Sequence, residues 1–425
     1  MAALLEDEAF IARFKRTAAD FIRTRVLTFQ TITVLLMAKG MKSLQLSLNE
    51  IIPKLGLTEQ TVSKVAYSKA RRKLKHEAFI ELNREAVIRT MYEDGDYRTY
   101  RGMRILATDG SKVLLPTNPE TEAEFGVVSY HNKQLGAKGA HVYALASVLY
   151  DVLNRVALDA QFAPCRSYEV ELAIQALPYI QADDLAIYDR AYSTYRMLAL
   201  LSQTPGNFLI RCTDRRFAVA TAMLHGEGPD DITVELIPPP RFERNPKHRG
   251  LPSTLTVRFV RVTLDSGEYE VLVTSLLNKS YTAGDFKELY WLRWGIETFY
   301  GVLKTRLCLE NFSGLSPEAV RQDFYATILL TGMESIFTAD TESTLGKQPG
   351  GHPKKVNKAV SFNAIKYRAF ELFYSKEPRE AVLKQLDELF MASPTLVRKD
   401  RKPPRSSTSS HMLLGYWRRK RKAVF

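Results

Sequence analysis

Asp184-Leu-Ala-Ile-Tyr-Asp189 is a short apolar run closed by an acid, the pattern of a strand buried on both faces whose end projects a carboxylate. Met103-Arg-Ile-Leu-Ala-Thr-Asp109, followed by Gly110, reads the same way. Between them, His141 to Tyr150 and Arg155 to Gln161 predict two more strands, joined by a hairpin at Asp151 to Asn154. Ser167 to Leu177 and Ser193 to Leu201 predict helices, the first with Val170, Leu172, Ala173 and Ala176 on its apolar side, and Asn207 to Cys212 predicts a further strand. This succession is that of a mixed α/β layer arrangement. Acids at strand ends then fall where open α/β folds place their sites.

Downstream the character changes twice. Thr233 to Ile237, Ser253 to Leu264 and Tyr269 to Ser275 alternate or are β-branched, with a turn at Asp265-Ser-Gly267, so about 213–283 predicts a β-rich insertion. A helix follows over Lys287 to Leu307, opened by Thr282 or Asp285 as cap. On it Tyr290, Arg293, Glu297 and Lys304 fall within an arc of roughly 60° at helical periodicity, apart from an apolar arc of Leu289, Leu292, Ile296, Phe299, Leu303 and Leu307. Taken alone, that stripe is a solvated face. It becomes chemistry only if other carboxylates converge on Glu297.

Toward the amino terminus, residues 1 to about 95 read as helical. Gly56 suits a turn before a second helix that runs into Ser68-Lys-Ala-Arg-Arg-Lys-Leu-Lys75, where Lys69, Arg71, Arg72 and Lys73 can meet phosphates. Toward the carboxyl terminus, a linker-like stretch from Gly346 to Lys355 precedes a helical segment and a basic tail that includes Arg418-Arg-Lys-Arg-Lys422. The expected division is a helical unit over 1–95 that carries the basic run, an α/β unit with the β-rich insertion over 96–345 and a helical, basic unit over 346–425.

The 425 residues carry 60 Lys plus Arg against 47 Asp plus Glu, a net charge of +13, which favours a polyanionic partner. Nucleic acid fits better than membrane. The longest apolar stretch, Val26 to Ala38, is too short to span a bilayer and holds several Thr and Gln. The acidic start, Met-Ala-Ala-Leu-Leu-Glu-Asp-Glu, lacks the basic region of a signal peptide, and three scattered cysteines suggest neither disulfides nor zinc. These features point to the cytoplasm. No GxxxxGK[ST] loop supports nucleotide hydrolysis, and GxSxG is absent.

Asp109, Asp189 and Glu297 make a set of hard oxygen donors suited to two Mg²⁺ or Mn²⁺ ions, the arrangement that serves in-line phosphoryl displacement. Asp151, Asp159, Asp183 and Asp184 are rival acids in the same region, and spacing alone does not decide among them.

Tyr290-x2-Arg293-x3-Glu297-x6-Lys304 resembles the YREK signature of bacterial insertion-sequence transposases of the DDE class, the IS-four type. The similarity extends to Ala107-Thr-Asp109-Gly-Ser111, Tyr188-Asp189-Arg-Ala-Tyr192, Lys42-Ser-Leu-Gln-Leu46, Ser68 to Leu74 and Val356 to Ala364, nearly the whole chain. The resemblance implies a ribonuclease-H-like core interrupted by a β-rich insertion. It implies that Asp109, Asp189 and Glu297 are the catalytic, metal-binding triad, and that Tyr290, Arg293, Lys304 and Arg190 contact DNA near the transposon end. The implied reaction is phosphodiester hydrolysis at terminal inverted repeats, then attack of the freed 3′ hydroxyl on target DNA, by a homodimer assembled on DNA. The alternatives are a two-metal nuclease of the same fold without strand transfer, and an inactive DNA-binding relative. Some relatives stack a flipped base on a Trp in the insertion; here Trp291, Trp294 and Trp417 all lie outside it, leaving Phe242, Phe259 and Tyr269 as candidates.

Overall fold

Nine strands make one mixed sheet: β1 (Arg104–Leu114), β2 (Val127–Asn132), β3 (Ala137–Asp151), β4 (Val156–Pro164), β5 (Asp184–Tyr188), β6 (Asn207–Arg211), β7 (Asp231–Leu236), β8 (Leu255–Thr263) and β9 (Tyr269–Thr274). The computed structural model describes residues 1–23, 26–39, 43–55, 61–132, 137–240, 242–347, 352–374 and 377–397. The spatial order is β2, β3, β1, β5, β6, β9, β8, β7, with β4 on β3. β1, β5 and β6 run parallel, and every other pairing is antiparallel.

The three parallel strands are central, so both their faces are covered. Ile105, Leu185, Ile187 and Leu209 pack with Phe286, Leu289 and Tyr290 on one face. Leu106, Ala186, Tyr188, Phe208 and Ile210 belong to the larger core on the other, with Met197 and Leu198 of the helix Tyr195–Leu201. This split follows the period-two alternation of a strand. The larger core is continuous from Leu5 to Phe390, so the amino-terminal and carboxyl-terminal helices share it with the sheet. At the start of the parallel pair the Arg104 guanidinium meets buried Asp184 with two bonds of 2.6 and 2.7 Å. Asp184 is therefore a structural acid.

The hairpin at 152–155 joins β3 to β4 as expected, and Asp151 accepts from the backbone of Leu153 and Asn154 to shape it. β7, β8 and β9 form the anticipated β-rich stretch, but β9 pairs with β6, so these strands extend the main sheet. One expectation fails in detail. β1 does not stop at Asp109; it continues to Leu114, because β3 is long enough to pair with it throughout. Gly110-Ser111 is strand, not turn.

The helix Pro317–Gly346 was not anticipated. Its Ser316 cap and Pro317 are ordinary start signals, yet residues all around it are buried, Gln322, Asp323 and Glu334 among them. Among the described residues, no helix is long and apolar enough to cross a membrane. The Gly56 turn, Lys42 and the basic tail from Arg398 with Trp417 lie outside the described residues.

Candidate active site

β1 and β5 pair in parallel register from Arg104 opposite Asp184 to Ala107 opposite Ile187. Continuing that register brings Asp109 opposite Asp189, at the carboxyl end of the parallel pair. The helix Ala283–Leu292 covers Ile105, Leu185 and Ile187 on one face of these strands. That helix opens with a capping box in which Thr282 and Asp285 bond reciprocally, so both proposed caps are used. It runs through Arg293 into the helix Trp294–Gly301, which carries Glu297.

Several contacts bind this helical arm to the strand ends. The buried Tyr300 hydroxyl reaches Asp109 O at 2.9 Å and Ala146 O at 3.2 Å, fixing the arm one turn beyond Glu297. Gly295 lies so close to the hairpin that a Cβ there would sit 3.0 Å from Val152 Cβ. Tyr300→Phe is expected to lower the melting temperature, at a cost of about 1 kcal/mol, by removing the hydroxyl that the two carbonyls share. An unchanged melt would show that the hydroxyl does not hold the arm.

The charged stripe is not a solvent face. Tyr290 and Arg293 are 6% and 7% exposed, whereas Trp291 and Trp294 on the outer side are 69% and 40% exposed. Leu289 of the apolar arc and Tyr290 of the charged stripe both pack in the core formed with Ile105, Leu185, Ile187 and Leu209 of the sheet. Burial pushes the Tyr290 phenol up to about 12. Arg293 Nη2 donates to Glu297 Oε1 at 2.9 Å, its guanidinium lies between the Tyr290 and Trp294 rings, and its buried Nε has no partner. A π-helical stretch, Val302–Arg306, then carries Lys304, whose Nζ donates to Ser111 Oγ at 2.7 Å and Lys112 O at 2.6 Å. Burial lowers the Lys304 pKa. Lys304 thus spends two donors on β1 and retains one.

Charge is concentrated around Asp109. Burial first, then the neighbouring Glu169 carboxylate, push its carboxyl up to about 7; Asp189 acts in the same direction and Arg293 opposes. Glu169, in the first turn of the helix Glu169–Gln175, accepts from Gly110 N at 2.8 Å and from Tyr192 Oη at 2.8 Å. Asp189 caps the short turn Arg190–Tyr192, its Oδ1 accepting from Ala191 N at 2.7 Å. A group of half-buried carboxylates with no His or Cys among them is a donor set for hard cations, and a bound cation would relieve their repulsion. The chemistry of the donor set fits divalent metal, while the ligand atoms of Asp109, Asp189 and Glu297 are not all within 4.8 Å of one another in this structure.

Among the described residues, His76, Glu77 and Glu318 have ligand atoms within 4.8 Å of one another, but Arg16 reaches Glu318 at 3.5 Å. That cluster is an ion-pair latch. The rival acids also find structural roles: Asp151 holds the hairpin and the Tyr92 hydroxyl, and Asp159 accepts from Gln161.

Of the expected DNA contacts, Arg190 is exposed beside Asp189, and Lys69 and Arg72 are exposed at the end of the helix Lys64–Arg71. Arg72 borders an open cavity of about 860 Å³ with Arg16, Ser68 and Arg321. Lys73 stands 3.6 Å from Asp20. Arg71 requires a correction: it is 3% exposed, and its guanidinium donates to Gln322, Ser313, Ala319 O and Asp323. A buried Asp323 draws it inward, so it is unavailable to phosphate. Of the aromatic candidates for a flipped base, Phe259 is fully buried, Phe242 is buried against His248, and Tyr269 is 42% exposed beneath the Arg261 guanidinium.

The sequence pattern of the helix Glu169–Gln175 marks its apolar side and does not single out Glu169. Its position two residues after Ser167, in a first helical turn, gave no signal that it would meet Asp109.

Comparison with known proteins gives one family match, to the transposase DDE domain, over residues 100–332. No curated protein matches. Among solved structures, the cryo-EM structure of the piggyBac transposase synaptic complex with hairpin DNA is similar over 97% of this chain and 87% of that chain, with 10% sequence identity and a TM-score of 0.46. The family match spans more than half of the chain and contains Asp109, Asp189 and Glu297, and the chain belongs to the DDE transposases.

Proposed function

We propose that this chain cuts DNA at the ends of a mobile element and joins the freed 3′ hydroxyl to target DNA, with Asp109, Asp189 and Glu297 as the catalytic triad. The observation that carries this reading is the parallel β1 and β5 pair, whose last partners, Ala107 and Ile187, each stand two residues before an acid, Asp109 and Asp189, with the Glu297 arm tied to Asp109 O by Tyr300. The antiparallel β1, β3 and β4 beside the parallel β5 and β6 support a ribonuclease-H-like core, with residues 213–283 as its insertion. DDE transposases use divalent metal ions. In this chain Asp109, Asp189 and Glu297 would hold two, Mg²⁺ or Mn²⁺. When bound, they would activate the attacking oxygen and stabilise the leaving oxygen of each phosphodiester displacement.

The remaining work falls to the protein's own groups. Arg293, buried and bonded through its Nη2, would hold the Glu297 carboxylate in place and add positive charge beside it. Lys304 is fixed on β1 with one donor left, so it offers a positioned rather than a mobile charge. Arg190 supplies an exposed cation beside Asp189. Tyr290, buried beneath Arg293, supports that guanidinium and meets DNA only at its edge. Residues 1–95, through Lys69, Arg72 and Lys73, would bind the terminal repeats, residues 96–345 would cut, and the basic region over 346–425 would add non-specific affinity. Two copies would pair two ends.

The deciding experiment incubates the chain with labelled DNA carrying the sequences that flank its gene, a supercoiled plasmid and Mg²⁺ or Mn²⁺. Cleaved ends joined to the plasmid are expected. Cleavage without joining would identify a nuclease, and binding without cleavage an inactive relative.

A further inference from the structure

We propose that Glu169 is a positioning residue that locks the Asp109 and Asp189 strand exits together; this rests on the triad reading above. One oxygen does both jobs. Glu169 Oε1 accepts from the backbone N–H of Gly110, the residue after Asp109, at 2.8 Å. The same oxygen accepts from the Tyr192 hydroxyl, at the end of the short turn that Asp189 caps, also at 2.8 Å.

The surroundings are built for that approach. A Cβ at position 110 would lie 2.5 Å from Glu169 Cδ, so only glycine admits the carboxylate to the β1 backbone. Gly110 N also lies 2.9 Å from Asp109 Oδ1, so the carboxylate of Glu169 and that of Asp109 flank one donor and set each other's orientation. Tyr192 is fully buried, and Glu169 satisfies its only polar side-chain atom. The β1 and β5 ladder stops before both acids, at Ala107 and Ile187. Beyond it, the Gly110–Glu169–Tyr192 bridge joins the two exits through side chains. Outer-shell groups of this kind set how well first ligands converge on a metal.

The test uses the full chain and three variants, Glu169→Ala, Glu169→Gln and Tyr192→Phe. Mn²⁺ affinity is measured without DNA by calorimetry, and single-turnover cleavage is measured separately. Glu169→Ala is expected to weaken both Mn²⁺ affinity and cleavage by about 10- to 100-fold. Glu169→Gln, whose Oε1 still accepts both bonds, should stay within about threefold of the parent, and Tyr192→Phe, which breaks one arm, should fall between them. Wild-type Mn²⁺ affinity in Glu169→Ala would overturn the proposal. So would a Glu169→Gln defect as deep as that of Ala, since the charge and not the bridge would then matter. If Glu169→Ala fails to fold, an unaltered Mn²⁺ affinity in Tyr192→Phe overturns it instead. A parent chain that binds Mn²⁺ but never cuts DNA would defeat the triad reading alone, leaving the affinity series to decide on Glu169. A parent that binds no Mn²⁺ defeats both.

Discussion

Asp109→Asn, Asp189→Asn and Glu297→Gln are each expected to lower metal-dependent strand cleavage by at least about 10³-fold, a loss of roughly 4 kcal/mol of transition-state stabilisation. Binding to terminal DNA should persist, because phosphate contacts from Arg and Lys supply most of that affinity. The three substitutions differ in their effect on stability. Asp109 is half-buried against the Glu169 carboxylate, and its pKa is raised accordingly, so Asn in its place relieves a repulsion. Asp109→Asn should therefore melt at or above the parent temperature while cutting nothing, the trade expected where a site is arranged for chemistry. Glu297→Gln weakens an ion pair with Arg293 and should melt slightly lower. Cleavage near the parent rate by any of the three would remove that residue from the triad. A uniform collapse of stability would instead mean that the cluster is structural.

What the sequence made legible was whatever local pattern controls. Asp184 to Asp189 carries its own strand signal and its own ending, and the structure places a strand there that stops at Tyr188. The hairpin after Asp151 and the cap at Thr282 are equally local. Asp109 was harder, since Gly110-Ser111 has turn chemistry and only pairing with the distant β3 carries β1 onward. The charged stripe misled for a related reason. Helical periodicity gives the angle between Arg293 and Leu289 but not which of them faces water, and in the structure both are buried. Glu169 could not be found at all from spacing, because its partners, Gly110 and Tyr192, lie far from it in sequence and meet it only through the sheet.

Arg71→Ala is expected to cost about 3–5 kcal/mol, the penalty for removing one partner from a buried ion pair. The side chain joins the helix Lys64–Arg71 to the helix Pro317–Gly346: Nη2 lies 3.1 Å from Asp323 Oδ1 and 3.0 Å from Ala319 O, while Nε bonds Gln322 at 3.0 Å. Asp323 is fully buried, and Lys39 and Arg71 hold its carboxyl below the usual range against the cost of burial. Lys39, at 3.6 Å, would be its remaining cation partner among the described residues. Gly314 tightens the joint, since a Cβ there would meet Arg71 Nη1 at 2.9 Å. Arg72, one residue on, is the contrast. It is exposed, so Arg72→Ala should leave the melt within about 0.5 kcal/mol of the parent. It should weaken DNA binding and reduce the salt slope by about one if Arg72 touches a phosphate. Thermal melts and salt-dependent binding on the two variants therefore separate docking from recognition. If Arg71→Ala melts like the parent and loses only DNA affinity, the buried network does not hold the amino-terminal helices, and the basic run acts as a single phosphate-binding face.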